Sequence, residues 1–261
     1  SVSYLGPLAN CARDAALAYE VMSGADARDP NSLGHPGAEI DDHAPRSLAG
    51  VTLGVFWPWF RDAKPDVVAT CERLLAQMCD RGATLVEVEI PELELTRVAH
   101  LVSITSEMLT GMLPHIRDRL GDFGIETQLN IAISRGSSAV DYIHAQRVRT
   151  RAIAHFERAF GRCDAIITPA SGNTAPRIHP GGGAVSDLTR SMETMRFAFT
   201  SNFTGHPAIS FPAGYDATGL PIGMQAIGRG WNERLLLRLA AFADMVVERR
   251  RPQRYYAPIE V

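Results

Sequence analysis

The chain has 261 residues, with 26 Lys and Arg against 29 Asp and Glu, a formal net charge of -3, 46% hydrophobic and 21% charged residues. This is ordinary globular usage, which excludes disorder, collagen and coiled coil as the main state, and the lack of a basic excess excludes an overall nucleic-acid footprint. A chain this long buries about 70–75% of its unfolded surface and needs no disulfide or metal staple to fold.

Residues 12–22, ARDAALAYEVM, are strong helix formers, with Asn10 as N-cap and Gly24 as the stop. They are apolar on nearly every face, which predicts a buried helix. DARDPNSLGHPGAEIDDHAPRS (26–47) is a long polar loop, and any sub-domain boundary is expected within 25–47. VTLGVFW (51–57) is a short apolar strand. A helix over 66–81 follows, with Pro65 in its first turn, Val67, Val68, Cys71, Leu74, Leu75, Met78 and Cys79 at helical spacing, and Gly82 as its end. TLVEVEI (84–90) alternates with period two, so strand, helix and strand make a parallel βαβ unit.

Residues 94–136 are helical with weak punctuation. Ser138 and Asp141 form a capping box for a helix that runs to Phe160 and carries Arg147, Arg149, Arg151 and Arg158 on its wetter side. CDAIITP (163–169) is a buried strand, followed by a Gly/Pro loop (170–186) and a helix over 187–201. PAISFPAG (207–214) and LPIGMQAIG (220–228) flank YDATG as a β-hairpin. Asn232 caps a last amphipathic helix through Leu235, Leu236, Leu239, Ala243, Val246 and Val247. The fold class is therefore α/β, a mixed sheet flanked by helices.

No apolar run reaches about 18 residues, so no membrane-spanning helix is expected, and no basic-then-apolar leader marks a signal peptide. Cys11, Cys71, Cys79 and Cys163 form no CxxC pair, which predicts core thiols of a cytoplasmic protein. The eight His form neither HxxxH nor HExxH, so no metal is expected. HPGGGAVSD (179–187) lacks the GK[ST] ending of a phosphate loop. GxSxG is absent, and the serines of RGSSA (135–139) and ASGNT (170–174) are explained by capping and turns. Spacing alone thus reveals no active site.

Three segments do carry a resemblance. GPLANCARDAALAYEVMSGADARDP resembles the stretch that follows the catalytic serine of the amidase signature family; AQRVRTRAIAHFERAFGRCDAIITPA and TSNFTGHPAISFPAGYDATGLPIGMQAIGRGWNERLLLRLA resemble the family's later helix–strand segment and its C-terminal hairpin and helix. The resemblance implies amide hydrolysis by a Lys–Ser–Ser triad, with a neutral Lys as base, one Ser as relay and another as nucleophile. It places all three upstream of Ser1, so no catalytic residue is carried onto this sequence. The chain, which opens SVSYLGPLAN without Met, is expected to be the C-terminal half of the amidase signature fold, 1–261 forming part of one domain. No cofactor is implied.

By the same resemblance Tyr142, Met195, Phe199 and Asn202 are candidate substrate-wall residues, although core packing explains Phe199 and capping toward Gly205 explains Asn202 equally well. Glutaminase subunits of amidotransferases grip an amino-acid head group with an Arg and an Asp. Here Met195 stands for that Asp, and IETQLNIA (125–132) holds no Arg, so an apolar amide is favoured over glutamine. The expected partners are the N-terminal half, on the same or a separate chain, and a small-molecule amide, without nucleic acid or membrane. An apolar face left bare by that half predicts aggregation or a homodimer. The alternatives are a non-catalytic binding module and an A-type glutaminase of an amidotransferase.

Overall fold

A computed structural model describes residues 1–32, 34, 37, 47–176, 193 and 195–250. Its five strands, β1 (Thr52–Val55), β2 (Thr84–Glu87), β3 (Ala165–Pro169), β4 (Ala208–Tyr215) and β5 (Pro221–Gly228), form one sheet of order β2-β1-β3-β5-β4. β1 pairs parallel with β2 and β3, whereas β5 pairs antiparallel with β3 and β4. The mixed sheet and both of its expected units, the βαβ pair and the hairpin, are present.

The helices are α1 (Ala12–Met22), α2 (Trp57–Phe60), α3 (Pro65–Asp80), α4 (Leu93–Arg119), α5 (Ile125–Ser134), α6 (Ala139–Phe160), α7 (Phe199–Thr204) and α8 (Glu233–Val246). Helix α3 buries Val67, Cys71, Leu74, Leu75 and Met78 and ends before Gly82, whose φ of 100° suits glycine. Ser138 accepts from the Asp141 N–H while the Asp141 carboxylate accepts from Ser138 N–H, closing the capping box of α6. In the hairpin turn, the Asp216 carboxylate accepts from the N–H groups of Thr218 and Leu220. Those bonds, led by the Thr218 hydroxyl, hold the Asp216 carboxyl down to about 2.

Three cores result. One sheet face packs against α3 and α8 through residues such as Leu53, Ala165, Ile167, Met224, Leu239 and Phe242. The other meets α2 and the end of α6 through Trp59, Phe156, Phe160, Ile166 and Ile227. Along β3, Ile166 and Ile167 therefore face opposite layers, the period-two rule of a strand. The third core, Val2, Ala99, Ala145, Val148 and Phe203, lies among α4, α6, α7 and the start of the chain. That third core positions the candidate site.

Several expectations need correction. Helix α1 is not buried: only Ala12 is, and Val21 is 86% exposed. An all-round apolar helix can bury only against what surrounds it, and among the described residues the main packing partner of α1 is α8. Its N-cap is Cys11, whose sulfur accepts from Asp14 N–H, rather than Asn10, so Cys11 is a half-buried cap and not a core thiol. Asn232 stands at the N-cap of α8 without a capping side-chain bond. The alternation of 84–90 predicts a half-buried strand, yet β2 is an exposed edge strand and burial begins beyond it, at Val88 and Ile90. The stretch 94–136 divides into α4, a 3-10 turn at Leu120–Asp122, and α5. Where a helix is expected over 187–201, residues 195–198 form turns instead, and α7 begins only at Phe199, runs to Thr204 and ends at Gly205 in the left-handed region. Residues 187–192, the motif at 179–187, most of the 25–47 loop and the tail after Arg250 lie outside the described residues.

Gly54 in β1 has a packing reason. A Cβ there would lie 2.6 Å from Cys163 Sγ and 3.2 Å from Val88 Cγ1. Gly54→Ala is expected to destabilise the protein by about 1–3 kcal/mol through overpacking. A urea-unfolding midpoint equal to wild type would refute the close packing.

Candidate functional site

Helix α4 carries Ser103, Ser106, Glu107 and Thr110 at spacings that place them on one face. Across from them stands Tyr142, in the first turn of α6, held by the capping box one residue earlier. Ser106, Glu107, Thr110 and Tyr142 line an open depression of about 460 Å³. The Tyr142 hydroxyl donates to Glu107 Oε1 at 3.0 Å. Burial, then this bond to a carboxylate, raises the Tyr142 phenol above its ordinary value. For Glu107 burial opposes ionisation, whereas the bonds it accepts from the Ser1 ammonium, the Ser1 hydroxyl and Tyr142 lower the carboxyl. The depression therefore presents one ionised carboxylate at neutral pH.

Glu107 also reaches the first residue. The Ser1 hydroxyl donates to Glu107 Oε1 at 2.6 Å and accepts from Arg149 Nη1 at 2.7 Å. Arg149 Nη2 donates to the Ser1 carbonyl at 2.8 Å, and Asn202 Nδ2 donates to the Val2 carbonyl at 2.9 Å. The Arg149 guanidinium lies 5.7 Å over the Phe203 ring.

Of the four wall candidates, Tyr142 lines the depression, and Asn202 joins the same network through Val2 rather than facing the depression. Phe199 is buried at 2% exposure, with its ring 6.1 Å from that of His100. Met195 is 38% exposed in the turn before α7. Sequence reasoning misses Glu107 and Arg149. The polar face of α4 is the signal available for Glu107; nothing local distinguishes Arg149 from the other arginines of α6.

One array resembles a hydrolytic triad: Thr204 Oγ1 lies 2.8 Å from His206 Nδ1, and His206 Nε2 lies 3.0 Å from Glu157 Oε1. It is structural. The Thr204 hydroxyl donates to the Thr200 carbonyl at 2.8 Å, which directs its proton away from the imidazole. His206 is 7% exposed and packs on Phe156 and Phe160, leaving no room for a substrate. The buried thiols are poor nucleophiles as well: burial pushes Cys71 up to about 12 and Cys163 up to about 11. The single lysine, Lys64, is exposed at the N-cap of α3. Among the described residues, no group of three or more His, Cys, Asp or Glu is arranged for a metal ion, and no helix is long and apolar enough to cross a membrane.

Comparison with known proteins gives the geometry its context. Residues 1–237 match the family model described as Amidase. A fatty acid amide hydrolase of Medicago truncatula is 38% identical over 98% of this chain and 44% of its own length. The A-type component of a glutamyl-tRNA(Gln) amidotransferase from Nitrobacter hamburgensis is 30% identical over 98% of this chain and 57% of its own length. The solved structure of a bacterial aryl acylamidase superposes with a TM-score of 0.77 at 22% identity, covering 92% of this chain and 52% of that one. The chain thus spans about half the length of the relatives it matches.

Proposed function

Because the chain belongs to the amidase family, we propose that it forms the C-terminal part of an enzyme hydrolysing the carbon–nitrogen bond of acyl amides, with the attacking serine and its lysine base supplied by polypeptide outside these residues. The observation that carries this reading is the family match over residues 1–237. The chain's single lysine is an exposed helix cap, an environment unlike the desolvated site of a neutral base.

This part of the enzyme supplies a wall of the amide pocket. Tyr142 and Met195 face the substrate, Phe199 backs them from the core, and Asn202 holds the adjoining segment. Exposed Val140 and Ile143 flank Tyr142 on α6 and suit an apolar acyl group better than a zwitterion. The plant fatty acid amide hydrolases support the same substrate class, and the missing Arg and Asp argue against the amidotransferase reading. Leu5, Leu8 and Val21, exposed at 94%, 101% and 86%, are where the N-terminal half packs.

Amine release is the test. Residues 1–261 alone are expected to be inactive. The whole natural enzyme is expected to cleave a long-chain acyl amide at least about tenfold more efficiently than glutamine, about 1.4 kcal/mol in transition-state binding. Turnover by 1–261 alone would place the nucleophile within this chain, and a preference for glutamine would restore the glutaminase reading.

A further inference from the structure

Three helices converge on two residues at the start of the chain. Helix α4 contributes Glu107, α6 contributes Arg149 and α7 contributes Asn202, and their polar atoms meet on Ser1 and Val2. Two consecutive backbone carbonyls are each taken by a different side chain: Ser1 by Arg149 and Val2 by Asn202. The Val2 side chain is 2% exposed and wedged among Ala99, Ala145, Val148 and Phe203. Residues 3–6, immediately after, are exposed. The segment is therefore fastened at one station, not along its length, and Glu107 belongs both to that station and to the depression.

We propose that Arg149 and Asn202, together with Glu107, are positioning residues that lock the backbone at Ser1 and Val2 in register with the Tyr142 depression. The inference rests on the amide-hydrolase reading. If the nucleophile is borne on polypeptide leading into Ser1, this clamp sets its distance from a substrate bound against α4 and α6. The residues chosen fit such a task. A guanidinium offers parallel N–H groups in a fixed plane and takes the Ser1 carbonyl and hydroxyl together, which an ammonium on a flexible stem does not reproduce. An asparagine amide donates to a carbonyl, whereas an aspartate there repels it. A side chain serving only helix packing would have no need of main-chain partners 148 and 200 residues away.

The test is steady-state kinetics of the whole natural enzyme on a long-chain acyl amide, with folding checked by thermal melting. Arg149→Lys and Asn202→Asp are each expected to lower kcat by about 10–100-fold with KM within about threefold, because misplacement of reacting groups by about 1 Å has effects of that size. Asn202→Asp also covers the case in which Arg149→Lys fails to fold. Full kcat in a folded variant overturns the proposal. So does a rise in KM alone, which would make the altered residue a substrate contact. A wild-type enzyme inactive on every amide removes the functional reading and this inference together, whereas an active wild type with fully active variants removes the inference alone.

Discussion

Phe156→Ala is expected to lower the free energy of unfolding by about 3–5 kcal/mol, a large share of the roughly 5–15 kcal/mol that holds a typical domain folded. Phe156 is 1% exposed and lies where the end of α6 meets the sheet. Its ring stands edge-on to Trp59 at 6.4 Å, tilts against Phe160 at 6.4 Å and stacks on His206 at 5.6 Å. Removing it loses the transfer energy of a large apolar side chain and leaves a cavity. The surrounding rings belong to different elements, and Trp59 is further held by stacking on Phe197 at 5.9 Å and by donating to the Arg196 carbonyl at 3.2 Å. That wall cannot collapse inward, which places the cost in the upper part of the usual range. Leu17→Ala is the contrast: Leu17 is 56% exposed on α1, so its loss is expected to stay near 0.5 kcal/mol in magnitude. Equilibrium urea unfolding of both variants checks the pair. A Phe156→Ala loss below about 1 kcal/mol would mean that this layer is not packed as described.

The second large effect is an acid sensitivity set by His100. It is 4% exposed, with its ring 6.1 Å from that of Phe199 and 5.9 Å from that of Phe203, and its Nε2 has no hydrogen-bond partner. Burial first, and the Arg149 charge second, push the imidazole from 6.5 down to about 4. The unfolded chain takes up this proton near pH 6.5 and the folded chain only near 4. The unfolded state thus binds more protons across that window, and stability rises with pH through it. The contribution of neutral His100 is complete above about 6.5 and lost as pH falls to about 4, a difference on the order of 3 kcal/mol. Carboxylates held below their ordinary values, such as Glu107 and Asp216, lose their contribution at lower pH, so the interval from 6.5 to 4.5 isolates the histidine. His100→Gln is expected to flatten the pH dependence of the urea midpoint over that interval relative to wild type. Coincident slopes would show that the site does not exclude the proton.

Both effects arise from residues with no local mark. Phe156 is visible in the sequence only as one apolar position of a long helix, and His100 as one histidine of eight. The capping box at Ser138, the glycine stop at Gly82 and the hairpin around YDATG are legible because each is decided within about five residues by side chain–backbone bonds or by a φ that only glycine adopts readily. The sheet's parallel and antiparallel halves follow from connection lengths, since a helix-long crossover returns a strand parallel and a short turn returns it antiparallel.

The candidate site is legible only in part. Tyr142 can be singled out through resemblance, but its partner Glu107 lies 35 residues away and Arg149 acts on a residue 148 positions distant. Pairings of that kind depend on which helix faces meet, and helical spacing along one segment carries no record of the face opposite. The same limit explains α1. Periodicity reports what a helix has available to bury, and α1 is apolar almost all round, yet whether that surface is covered depends on its neighbours. Local chemistry along the chain therefore determined the elements, their ends and the class of sheet. The convergence of Glu107, Arg149 and Asn202 on Ser1 and Val2, the edge position of β2 and the exposure of α1 were decided by packing, because each depends on contacts between segments far apart in sequence.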